Sequence, residues 1–180
     1  MIARLNAKPE KALREALTSV ARLETEQIPP SLAVLSEGER AEALGLAIII
    51  AGYVVVDVCE SQWPNRASVR RIAQGLATGT TLAEEKLHLD PEEIFEYLWR
   101  TVLGPERLED VIPDQPRRTR FPVIVAGEAL AVYCPKGIGI WDYLDRIETA
   151  MEVASALDTW VLPAAVMRAY MPKPEAEGQA

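Results

Sequence analysis

The residues most suited to chemistry are few. In "EKLH", Glu85 and His88 form a Glu-x-x-His pair, one turn apart on a helical face. Helical di-metal proteins use two such pairs and two further carboxylates to hold their ions. His88 is the only histidine, so one chain cannot supply the second pair, and the reading is a histidine near a helix C-terminus, interacting with the last carbonyls. We expect no metal site and no bound cofactor.

A second candidate lies at the end of the apolar stretch "LGLAIIIAGYVVVDVCESQW", where Asp57 and Glu60 are spaced i, i+3. Two carboxylates at that spacing are neighbours on a helix, and burial of either raises its pKa into the range useful for general acid–base catalysis. The competing reading is that Arg66, Arg70 or Arg71 of the following segment neutralises them. Asp57 is the charge to watch because apolar residues flank it, and Asp57, Glu60 and Arg70 are the polar candidates for lining a pocket.

Other catalytic patterns are missing. There is no GxSxG elbow, and neither Cys59 nor Cys134 has a base at local spacing, so both read as small buried hydrophobes. No GxGxxG or GxxxxGK[ST] phosphate cradle occurs. Among the aromatic residues, Trp99 and Trp141 each have a charged neighbour, Arg100 and Asp142. They are the candidates for an interfacial position, since tryptophan is enriched at binding hot spots.

The elements that must position these groups read as helices. The uncharged run Ala43–Val56 is 14 residues long. As a helix it covers about 21 Å, less than the ~30 Å of a bilayer core, so it is expected inside a protein rather than across a membrane. "SEGE" at Ser36–Glu39 is a capping box, which favours a helix over about 37–61 despite the β-branched "YVVVDV". Before it, a one-sided helix from about Pro9 to Gln27 is broken by "IPPS". After Trp63-Pro64-Asn65, Val69, Ile72, Ala73 and Leu76 share a face of a helix closed by Gly79. "TLAE" opens a short helix to about His88. Asp90, Pro91, Glu92 and Glu93 then supply the cap and acidic first turn of a helix ending near Leu103.

"PDQPRRTR", 113–120, reads as a proline-broken basic loop that could divide two subassemblies. The following segment, 121–134, reads as a helix, with a small β-hairpin as the alternative because Val123, Ile124 and Val125 favour strands. A long amphipathic helix is expected over about 140–158, with Pro163 kinking it or starting another. Residues 172–180 form a polar tail.

The fold class that follows is all-α: about six to eight helices around the apolar one, in a single domain over 1–171. With 19 basic and 27 acidic residues the net charge is −8, a field that repels phosphate backbones and anionic lipid. Residues 69–100 have the rhythm of a helix-turn-helix, but its recognition helix would open on Pro91, Glu92 and Glu93 with no basic residue, so nucleic acid is not the expected partner. The N-terminus lacks the continuous apolar segment of a secretory signal, and two isolated cysteines fit a reducing cytoplasm. The expectation is a non-catalytic protein–protein interaction module, an accessory, assembly or regulatory subunit that self-associates. The alternative is a helical ligand-binding protein or enzyme with a pocket near Asp57 and Glu60.

Overall fold

The computed structural model describes residues 7–22, 28–59, 64–81 and 89–156. They are all-α: α1 Ala7–Ala21, α2 Ile28–Ala33, α3 Glu37–Val58, α4 Arg66–Thr81, α5 Pro91–Glu96, a π-helical segment Tyr97–Val102, α6 Leu108–Val111, α7 Gln115–Tyr133 and α8 Ile140–Ala156. The buried apolar side chains form one cluster, to which every helix but α6 contributes and against which Leu108 and Val111 of α6 pack.

Helix α3 starts where its capping box places it. The Glu39 N–H donates to Ser36 Oγ at 3.3 Å, and the Ser36 N–H donates to the Glu39 carboxylate at 2.8 Å. Two of the orphan donors at the helix start are thereby satisfied. The helix ends at Val58, with Cys59 as its C-cap, short of the expected 61. It is 22 residues long and carries an 18-residue window of mean hydropathy 2.0, so by length and composition it could cross a membrane; half of that window is buried within the chain. Its main partner is α7, with α1 and the π segment beside it.

Helix α7 shares the centre of the fold and is the more completely enclosed of the two. Ten consecutive residues, Phe121 to Leu130, are buried, so no face of that stretch is left to solvent. This bears out the helix expected over 121–134 and corrects the loop expected before it. The hairpin alternative at 121–134 is absent: these residues are helical to Tyr133, and their β-branched side chains find a packed all-helical surround rather than a strand to pair with. The basic "loop" at 113–120 is mostly the first turns of the same helix. Asp114 caps it, accepting from the Arg117 N–H at 2.8 Å, and Pro116 sits in the first turn where its missing N–H costs nothing. Pro122 lies inside the helix and removes one backbone bond.

Smaller differences have similar causes. "IPPS" forms the short α2, with both prolines in its opening turn. Helix α4 continues through Gly79 to Thr81 rather than closing there. The expected helix over 91–103 is α for one part and π for the rest, with the Leu103 N–H donating to Leu98 O at 2.9 Å. In that wider turn the hydroxyls of Tyr97 and Thr101 are enclosed without a hydrogen-bond partner, and Tyr97 packs edge-on against Phe121 at 5.4 Å. Residues 82–88, with "TLAE" and the Glu85–His88 pair, lie outside the described residues, as do Glu60, Trp63, Pro163 and the 172–180 tail.

Ion pairs lace the helices together at the surface. Lys8 of α1 meets Glu39 of α3 at 2.8 Å, Arg14 of α1 meets Asp145 of α8 at 2.7 Å and also Glu148, and Arg117 of α7 meets Glu93 of α5. Each such exposed pair contributes little stability, about 0–1 kcal/mol, so the packing is held by the apolar core.

Candidate functional site

The last turn of α3, the first turns of α4 and the last turn of α7 meet around a cleft of about 340 Å³. Helix α3 contributes Val58 and Cys59; α4 and its cap contribute Asn65, Ser68, Arg71 and Ile72; α7 contributes Tyr133. The α4 N-terminus is built by Asn65, whose side-chain oxygen accepts from the N–H groups of Ala67 and Ser68, both at 3.0 Å. The Ser68 hydroxyl closes the reciprocal half of this cap, accepting from the Asn65 N–H at 2.9 Å. Across the cleft the Tyr133 hydroxyl donates to Ile72 O at 3.3 Å, and it reaches there because residue 75 is glycine: a Cβ at that position would overlap the Tyr133 oxygen.

Arg71 is the cation of this lining. It is exposed and makes no ion pair among the described residues, whereas its neighbour Arg70 is engaged twice: with Glu92 at 2.9 Å and over the ring of Phe95 at 4.4 Å. Arg70 therefore braces α4 against α5 rather than neutralising Asp57. Arg66 also serves the α4–α5 contact, lying 5.6 Å from the ring centres of both Phe95 and Trp99. Those two rings stack at 6.4 Å and 11°, so Trp99 is half-buried in an intramolecular stack. Trp141, the other interface candidate, is 40% exposed at the start of α8.

Asp57 is half-exposed in the last turn of α3. Its carboxylate accepts from the Tyr143 hydroxyl of α8 at 2.7 Å, and Tyr143 in turn meets Tyr53 edge-on at 6.1 Å. Burial, and then the bond to Asp57, push the Tyr143 phenol far above its ordinary pKa; burial and the Asp57 charge do the same to Tyr53. Both phenols stay protonated, and the bond from Tyr143 to Asp57 ties α8 to α3. The thiol of Cys134 points to Ile138 O at 3.2 Å, and burial raises its pKa, which disfavours the nucleophilic thiolate. Among the described residues no group of three or more His, Cys, Asp or Glu side chains could hold a metal ion.

Two features had weaker signals in the chain. Glu128, in the middle of α7, is 6% exposed and makes no hydrogen bond or ion pair among the described residues, and burial pushes its pKa up to about 7. The clue was a single acid inside "VIVAGEALAV". The second is a flank of α3: Leu44, Gly45, Ile48, Ile49 and Gly52 are only half-buried, and Ala41 before them is exposed. Taken at 100° per residue these positions form one continuous stripe, and no charged residue interrupts it between Glu42 and Asp57.

Comparison with known proteins finds no matching family model, no matching curated protein and no matching solved structure.

Proposed function

We propose that this chain is a non-catalytic interaction module that self-associates through the apolar flank of α3. The observation that carries the reading is the half-covered state of that flank: the most apolar helix of the fold leaves Leu44, Ile48 and Ile49 partly in solvent. Exposed apolar stripes of this kind mark contact surfaces more often than they persist in water.

The placement of charge favours a second copy of the chain as the occupant. If two α3 helices cross antiparallel about Ile48, each Glu42 lies six residues from the centre, so the two acids are about 18 Å apart along the axis, beyond a Debye length at physiological salt. Nothing charged then faces its own image, and Gly45, which has open space where a Cβ would stand, lets the partner approach closely.

Ile49→Lys and Ala41→Arg place charge on the stripe at positions that contribute little to the core. Light-scattering mass at several concentrations is expected to fall from dimer to monomer in both, with unchanged helical circular dichroism. Wild-type and variant chains of equal mass would reject the interface. Co-sedimentation of the wild type with neutral phosphatidylcholine vesicles, lost in the variants, would instead assign the flank to a lipid surface.

A further inference from the structure

We infer that the cleft between α3, α4 and α7 is a binding site for a small organic monocarboxylate. The proposal is independent of the α3 interface, because the cleft opens at the other end of that helix. Two observations and one general property of arginine converge. The volume, about 340 Å³, falls at the lower end of small-molecule sites and admits a ligand with a short apolar body. Among the described residues the lining offers one full charge, Arg71, which pairs with no described carboxylate, in a chain whose net charge is −8 and whose other α4 arginines are engaged. A guanidinium presents a planar fork that matches a carboxylate two oxygens to two N–H groups.

The remaining lining sets the size and polarity of the rest of the ligand. Val58, Ile72 and the Tyr133 ring give apolar contact, while the hydroxyl of Ser68 and the side chain of Asn65 add polar edges. Those polar atoms are largely committed to the α4 cap, which fixes them in place. A single cation with apolar walls suits a monoanion; a phosphate monoester brings nearly two charges and three strong acceptors and leaves most of them unmatched here.

Cys59, in the same lining and unbridged, makes the site testable without knowing its natural ligand. Iodoacetate carries the proposed carboxylate and iodoacetamide is its neutral counterpart; with either, the thiolate displaces iodide and becomes a thioether. The rate ratio of the two reagents is read separately at Cys59 and Cys134 by peptide mass mapping, in the folded chain and in urea. Capture by Arg71 is expected to raise the iodoacetate-to-iodoacetamide ratio at folded Cys59 about fivefold over its unfolded value, the effect of one charge at roughly 4 Å in water. Arg71→Gln should abolish the rise, Arg71→Lys should keep part of it, and millimolar phenylacetate should slow iodoacetate at Cys59 in the wild type alone. A ratio at Cys59 equal to that of the unfolded chain, or unchanged in Arg71→Gln, overturns the proposal. Protection by inorganic phosphate but not by phenylacetate overturns the monocarboxylate assignment.

Discussion

Replacing Glu128 by glutamine tests the interior of the fold at one atom. The side chain is 6% exposed in the most enclosed part of α7, and burial raises its pKa from an ordinary 4.5 to about 7. Because the folded value lies above the unfolded one, the folded chain binds the proton more tightly. The protonated acid is tolerated below about pH 4.5, and stability is lost as pH rises toward 7. Each pH unit of such a difference is worth about 1.4 kcal/mol, so the full penalty of ionisation is about 3 kcal/mol, a large share of the ~5–15 kcal/mol that stabilises a typical domain. Glutamine keeps the shape and cannot ionise. Urea denaturation of both chains at about pH 5 and about pH 8 should show Glu128→Gln gaining about 2.5 kcal/mol relative to wild type over that interval. The comparison between the two chains cancels groups common to both, including His88. Parallel pH profiles would refute the argument by showing that Glu128 is solvated or paired in solution.

Three further outcomes follow from the packing. Gly127→Ala puts a Cβ 2.6 Å from Val20 of α1, so overpacking should cost about 1–3 kcal/mol by urea denaturation, and Val20→Ala in the same chain should recover part of it. Tyr143→Phe removes the donor to Asp57 and should cost about 1 kcal/mol; Asp57→Asn added to it should cost little more, because the two groups act as a pair. Glu39 is bonded by Lys8 and by the Ser36 cap, which lower its pKa to about 2. Its stabilising contribution is therefore present above pH 4.5 and lost as pH falls toward 2, and a carboxyl NMR titration should find it ionised at pH 3.

The local signals that proved legible were those with a mechanism inside one or two turns. Ser36 and Glu39 cap α3 reciprocally, Asp90 caps α5 by accepting from Glu92 N–H at 2.9 Å, and the stripe through Ala12, Leu13, Ala16, Leu17 and Val20 is the buried face of α1. The reading that fails is the loop at 113–120, where Pro116 and three arginines suggest a basic loop while the structure carries α7 back to Gln115; the helix over 121–134 is read correctly, but only against a hairpin alternative. Pro116 and Pro122 both lie within α7, and Val123, Ile124 and Val125 are buried on every side, so the stretch has no amphipathic period to read. Site residues were harder for the same reason: their roles depend on contacts between distant segments. Arg70 and Arg71 are adjacent in the chain and point about 100° apart on α4, yet one is committed to Glu92 and Phe95 while the other lines a cleft. Asp57 was conspicuous, but its partner, Tyr143, is 86 residues away.

Sedimentation velocity on the wild-type chain from low to high micromolar concentration tests self-association most directly. The account predicts a species of twice the 19.9 kDa chain mass, growing with concentration and absent in Ile49→Lys. A 19.9 kDa monomer at every concentration would contradict it.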